Sequence, residues 1–313
     1  RFVEKNCKIT NINEKWQLPG KIHQELLTFP EHLMKHLVFL LTSLVTGVLL
    51  ITGCQSTTAG GATGSSRSQF LLISSDEVNQ SAATAYKQAL GKARSAKVLN
   101  TNTNDTKRVQ KISKRLIAQV GIFRPDALNW NWEVNVIDSK EVNAYCMPGG
   151  KIAVYSGIIR SLNLTDDELA AVIGHEMAHA LREHSREQIS QQVATEQALS
   201  IAGALAGFSS TQQSLAGKAG ELFLTLPFSR TMESEADVMG MELMARAGYN
   251  PEAATNVWKK MEKLGGSSTP ELLSTHPSDS SRIERLQAEL PKVMPLYQVA
   301  LKTQGKTVTS RKK

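Results

Sequence analysis

His175-Glu176-Met177-Ala178-His179 is the stretch on which the reading of this 313-residue chain turns. On a helix, residues four apart lie about 40° apart around the axis, so both imidazoles can reach one point beside it. Imidazole nitrogens are common metal ligands, and two that converge supply half of a tetrahedral site. Glu176 lies roughly a quarter turn from His175, beside such an ion rather than under it. From there its carboxylate can take a proton from a water that the ion activates and pass it to a leaving amine.

The flanks support a helix. Thr165-Asp166-Asp167-Glu168 has the form of a capping box, with Thr165 as N-cap and Glu168 at the third helical position. Asp166 and Asp167 suit the positive end of the helix dipole. The helical pattern runs to about Glu183, and Leu169, Ile173, Met177 and Ala180 form a stripe roughly opposite the two histidines. On a continued helix His184 projects about 180° from His175. It is therefore excluded as a ligand and expected to be a partly exposed helix-end histidine. Gly174 and Ala178 leave one flank thin enough for another backbone to approach.

A catalytic zinc has three protein ligands and an open position for water. One way to complete the set needs a glycine three residues after the second histidine and a third histidine three further on. Here those positions are Arg182 and Ser185. The other way uses a glutamate from a later helix, and Glu233-Ser234-Glu235-Ala236-Asp237 is the best candidate. Glu233 and Asp237 share a helix face, whereas Glu235 points about 160° away from them. Glu233 is thus the expected third ligand, and Asp237 the carboxylate that accepts an N–H from a ligating histidine. Gly240 falls on the same face, so a close approach is sterically open. Glu235 and Glu242 are expected on the opposite, solvated side.

Together these residues resemble the zinc metallopeptidases of the CAAX-prenyl-protease and HtpX-like family, in its bacterial lipoprotein branch. The resemblance covers roughly Glu141 to Leu290. It is carried by Asn143-Ala144-Tyr145-Cys146-Met147-Pro148-Gly149-Gly150, the helix of His175 to His179, Glu233 to Asp237, and Ser274-Thr275-His276-Pro277 followed by Arg282. Cys146 stands where a small apolar residue is more usual, and the several membrane spans of the fuller members are lacking. The resemblance implies one zinc per chain, endopeptidase activity and misfolded or misassembled envelope proteins as substrates.

Met34-Lys35-His36 followed by Leu37 to Ile51 reads as a secretory signal, with a basic start, an apolar run and small residues after it. Met34 is therefore the expected start, with residues 1–33 an upstream extension. Ile51-Thr52-Gly53-Cys54 resembles a bacterial lipobox, which implies an acylated Cys54 anchoring the protein in a membrane. Gln55 in the following position favours, by resemblance, the outer membrane over the inner one, facing the periplasm. Gln55 to about Ser75 is rich in Ser, Thr, Gly and Ala and reads as a flexible tether. Of the three cysteines, Cys7, Cys54 and Cys146, only the last then remains as a thiol, so no intramolecular disulfide forms. Cys146 reads as a small buried residue.

The net charge of +7 is partly a matter of the tail, where Lys302, Lys306, Arg311, Lys312 and Lys313 cluster. Nothing resembles a zinc finger or a basic-aromatic nucleic-acid surface. Asp76 to Val98 and Thr106 to Val120 read as helices. Trp130 to Asp138, Val142 to Met147 and Lys151 to Tyr155 read as strands, with Pro148-Gly149-Gly150 as a turn. They predict a small antiparallel sheet ahead of the histidine helix, one edge of which can receive an extended peptide along Asn143, Ala144 and Tyr145. Helices are expected over Glu187 to Gly207, Asn250 to Leu264 and Ser280 to Leu290, with Gly265-Gly266-Ser267-Ser268 as a loop.

The expected architecture is α+β and mainly helical, a gluzincin-like metallopeptidase domain over residues 76–295 with a basic tail over 296–313. His175, His179 and Glu233 are the expected ligands and Glu176 the general base. His276, biased towards an extended backbone by Pro277, is read as a latch on the metal's open position or as a stabiliser of the oxyanion. Arg282 is expected to steady that loop or the substrate. An inactive zinc protein is disfavoured, because Glu176 has no structural need to be glutamate. An assembly chaperone or binding module with a largely closed zinc site stays open.

Overall fold

The computed structural model describes His36 and residues 54–205, 227–264, 271–276 and 281–305. The expected signal segment, apart from His36, lies outside these residues, as do the Gly265 to Ser268 loop, Pro277 and the tail beyond Gly305. The elements in chain order are β1 (Cys54–Gln55), β2 (Gln69–Phe70), α1 (Ser75–Ser95), α2 (Thr103–Ile117), β3 (Glu133–Ile137), β4 (Ala144–Met147), β5 (Lys151–Tyr155), α3 (Ser156–Ser161), α4 (Asp166–Leu181), α5 (His184–Leu205), α6 (Arg230–Arg246), α7 (Ala253–Leu264), α8 (Glu271–Thr275) and α9 (Arg282–Thr303). Among the described residues, no helix is long and apolar enough to cross a membrane.

Local sequence starts the helices where capping chemistry says it should. Ser74 and Glu77 close a capping box on α1, and Asn102 accepts from the backbone of Asn104 and Asp105 at the start of α2. The box on α4 forms as predicted, with Thr165 N donating to Glu168 Oε2 at 2.8 Å and Glu168 N to Thr165 Oγ1 at 3.3 Å. Lys260 of α7 also donates to that Glu168 oxygen at 2.7 Å, so the cap ties two helices together.

The sheet differs from expectation. Its order is β3-β5-β4, with β4 and β5 an antiparallel hairpin but β3 parallel to β5 on the other side. It is a mixed sheet, because the chain from β3 crosses to the far edge before the hairpin returns it to the centre. Side chains alternate across the pleat. Ala144 and Cys146 face the main core, whereas Tyr145 and Met147 face α1 with Ala82, Tyr86 and Leu90. The sheet therefore lies between α1 and the other helices.

α4 runs through the middle of those helices. Every residue from Glu168 to Leu181 is buried, so the expected one-sided stripe is part of a helix enclosed all round. α6, α7, α2 and β4 pack on it. The tightest approach is to α6, where a Cβ on Gly240 would stand 2.7 Å from His175 N and 2.8 Å from the Gly174 carbonyl carbon.

Two boundaries move. Residues 54–75 do not behave as a tether, because their hydroxyls and amides find partners on the body. β1 pairs with β2, Thr57 Oγ1 donates to Arg182 O at 3.1 Å, and Ala62 N donates to Glu242 Oε1 at 2.9 Å. Polar composition alone cannot reveal such buried charged partners. At the other end α9 continues through Pro291 and Pro295 to Thr303, into the expected tail. The two prolines are four apart, so their missing N–H groups fall on one side of the helix. Gly240→Ala is expected to destabilise the chain by about 1–3 kcal/mol through overpacking. A fall in the urea midpoint measures this, and an unchanged midpoint would show that the contact yields.

Candidate metal centre

α4 and α6 bring His175, His179 and Glu233 together, and His276 joins them from the end of α8. One ligand atom from each lies within 4.8 Å of the others, and all four residues are buried. His175 Nε2 is 3.2 Å from His179 Nε2, and His179 Nε2 is 3.3 Å from Glu233 Oε1. His175 Nε2 is 3.5 Å from Glu233 Oε2 and 3.3 Å from His276 Nδ1. Donors about 2.0–2.1 Å from a tetrahedral ion stand about 3.3 Å from one another. The spacings and the mixed nitrogen and oxygen donor set fit such an ion.

Electrostatics favour a cation at the same place. Burial opposes charge on His175, yet the Asp237 and Glu233 carboxylates outweigh it and raise the imidazole to about 9. Burial instead pushes His179 well below its ordinary value. Glu233 is held well below the usual carboxylate range, because His276, His175 and His179 overcome its own burial. Glu176 is raised by burial, against the pull of His276 and His175, which suits a carboxylate that must take and return a proton. Its Oε1 is buried without a hydrogen-bond partner among the described residues and lies 3.6 Å from His276 Nε2.

The surroundings hold the cluster in register. Asp237 Oδ1 is 3.0 Å from His175 Nδ1. Arg282 is 1% exposed and donates through Nη2 to Asp237 Oδ1 at 2.7 Å, with Glu233 Oε2 at 3.0 Å. Its guanidinium also lies on the Trp258 ring, 3.3 Å from the ring centroid. The Arg282–Trp258 stack was not legible, because nothing local pairs residues 24 positions apart.

Three expectations about α4 and α6 are corrected. His184 is not partly exposed but 0% exposed, with Nδ1 2.9 Å from His179 Nδ1 and Nε2 3.1 Å from Glu235 Oε2. The helical wheel fails there because Glu183 adopts a left-handed φ of 52°, ending α4 and starting α5 in a new direction. Glu235 is not solvated either. Arg67, Arg182 and His184 surround it, and although burial opposes its charge they hold its carboxyl at about 2. Glu242 is 0% exposed and accepts from Ala62 N, Thr63 N and Arg246. Both acids are buried and meet partners from the N-terminal segment, whose composition reads as a tether.

A narrow cleft separates the cluster from β4. Asn143 to Met147 line one side, and Glu176, His179, Phe228, Thr275 and His276 the other. Its open volume is about 30 Å³, room for a water or two. Phe228, which sequence reasoning missed, stacks on His179 at 4.0 Å and donates its N–H to Thr275 O at 3.0 Å. The Tyr145 ring packs with Tyr86 and Tyr155 on the α1 side, so only its backbone is placed to meet an extended chain. The Cys146 thiol is buried and pushed up by burial.

The sequence profile of peptidase family M48 matches residues 103–290. The mitochondrial metalloendopeptidase OMA1 of Arabidopsis thaliana is 42% identical over 158 residues, 50% of this chain and 31% of that protein. OMA1 of Schizosaccharomyces pombe is 34% identical over 229 residues, 72% of this chain and 65% of that protein. Metalloprotease LoiP of Escherichia coli K12 is 30% identical over 242 residues, 76% of this chain and 91% of that protein. The chain thus spans between about a third and two thirds of the mitochondrial relatives' own length. Arg282→Met should cost about 3–5 kcal/mol in the chelator-treated chain, because it removes the buried guanidinium that lies against both carboxylates. Urea denaturation reads this, and wild-type stability would mean that the carboxylates need no partner.

Proposed function

Because this chain belongs to peptidase family M48, we propose that it is a zinc-dependent endopeptidase, with His175, His179 and Glu233 holding the ion. The observation that carries the reading is the set of 3.2–3.5 Å separations among their donor atoms, with the raised Glu176 carboxyl beside them. A bound zinc supplies a Lewis acid that lowers the pKa of water and stabilises negative charge on a scissile carbonyl. Glu176 accepts the proton from the attacking water at a carboxylate oxygen and delivers it to the leaving nitrogen. Asp237 holds His175 through Nδ1 so that its Nε2 faces the ion. The β4 edge at Asn143, Ala144 and Tyr145 offers backbone groups to an extended substrate across the cleft.

The substrate class is misfolded or misassembled proteins of a bacterial envelope, met in extended form. The protein is anchored through an acylated Cys54 and works on the periplasmic side, most simply at the outer membrane. With residues 54–75 packed on the body, the anchor lies close to the enzyme rather than at the end of a long tether.

His276 acts as the latch. Its Nδ1 lies 2.8 Å from Glu233 Oε1 and 3.3 Å from His175 Nε2, and the cleft beside it is narrow. These observations also favour a second reading, a chaperone or binding module whose zinc site stays closed for most of its life.

Glu176→Gln is expected to keep one zinc and the fold while losing proteolysis of an unfolded envelope protein, and a chelator should abolish wild-type cleavage. Loss of zinc from the variant, or cleavage that survives chelation, would sink the assignment. His276→Ala should cleave a peptide faster than wild type. A lower turnover number would make His276 a transition-state stabiliser instead, and unchanged rate and zinc affinity would make it a bystander.

A further inference from the structure

His179 has two ring nitrogens, and only one faces the metal cluster. The other, Nδ1, meets His184 Nδ1 at 2.9 Å in a buried contact. Two ring nitrogens can share a hydrogen bond only if one carries the proton and the other a lone pair. His184 Nε2 decides which. It lies 3.1 Å from Glu235 Oε2, an acceptor, so it carries the proton. In a neutral His184 the lone pair is then on Nδ1, His179 Nδ1 must donate to it, and His179 Nε2 turns its lone pair towards Glu233 and His175. Glu235 needs no further cation, because Arg182 Nη2 donates to Oε1 at 3.0 Å and Arg67 Nε to the same atom at 3.0 Å.

Arg67 brings in the N-terminal segment. It donates to Glu235 Oε2 at 3.1 Å and, through two nitrogens, to Glu187 at 2.7 and 2.8 Å. Arg182 in turn donates to Arg67 O at 3.0 Å and to Thr58 Oγ1 at 3.0 Å. The strap between β1 and β2 therefore closes over the back of the carboxylate that orients His184.

We propose that His184 and Glu235 are positioning residues that fix the tautomer of His179, and that Arg67 makes the N-terminal strap part of the metal site. This rests on His179 being a zinc ligand. It differs from the Asp237 contact on His175, because the orienting group is a second histidine and its carboxylate is held by a segment more than a hundred residues away in sequence.

The test uses the full chain, with zinc affinity measured by chelator competition and the absorption bands of the cobalt-substituted protein as a geometric signature. Asparagine places an oxygen near the position of His184 Nδ1, whereas glutamine places its polar end near Nε2 and phenylalanine offers neither. His184→Asn should therefore bind zinc close to wild type with unchanged cobalt bands. His184→Gln and His184→Phe should lose about 10–100-fold in affinity, with altered bands and little change in the melting temperature of the metal-free chain. Arg67→Met should lose affinity in the same direction, by a smaller factor. Equal loss in the Asn and Phe variants would make His184 a packing residue and overturn the proposal. So would wild-type affinity in the Gln and Phe variants. If His184→Phe does not fold, the Asn and Gln pair decides the matter alone. A wild-type chain that takes no zinc would remove the metal reading first, and this proposal with it.

Discussion

The metal cluster depends on how closely two backbones can approach. Ligands from α4 and α6 can share one ion only if the helices cross nearly in contact, and Gly174 and Gly240 lie at that crossing. A side chain at Gly240 would run into the backbone of His175 itself. The same crossing sets Glu233 and Asp237 one turn apart along the approach, so one carboxylate reaches the cluster while the other reaches the back of His175. Ligand chemistry and helix packing are here a single constraint, because moving α6 outward by one methyl group would also open the ligand set.

Burying so much charge requires compensation within the fold. Glu176, Glu233, Asp237 and Glu235 all lie inside, and an unpaired buried carboxylate costs several kcal/mol. The chain answers with two separate counter-charged groups. Arg282, braced on Trp258, serves the carboxylates of the cluster. Arg67 and Arg182 serve Glu235 behind His184. Glu176 feels Arg282 only as a minor pull, and burial leaves its carboxyl raised. The arginines thus pair most closely with Glu233, Asp237 and Glu235, and less with Glu176, the carboxylate proposed to exchange a proton.

In the proposed reading, the cleft between β4 and α4 is where this chemistry meets a polypeptide. β4 is an edge strand, and its far side is fixed by the Tyr145 and Met147 packing against α1. Phe228 and His276 line the opposite wall of the cleft, both in contact with His179. A substrate that entered along β4 would have to displace at least the His276 side. In the proposed reading, access and ligation are therefore governed by neighbouring atoms.

The sequence alone determined what depends on spacing within one helix. His175 and His179 converge because they are four apart, Glu233 and Asp237 share a face for the same reason, and Thr165 with Glu168 sets where α4 begins. Those relations are local, and the backbone geometry of a helix enforces them. The tertiary structure decided everything that needed a partner from elsewhere. Glu235 and Glu242 looked like a solvated face until Arg67, Ala62 and Thr63 came to lie over them. His184 looked exposed because a wheel drawn through Glu183 ignores its left-handed φ, which turns the next helix inward. β3 joined the sheet parallel rather than antiparallel because strand alternation reports which face is buried, not which neighbour pairs. Periodicity records how a residue sits in its own element, whereas charge compensation, strand order and strap contacts are settled only when distant elements meet.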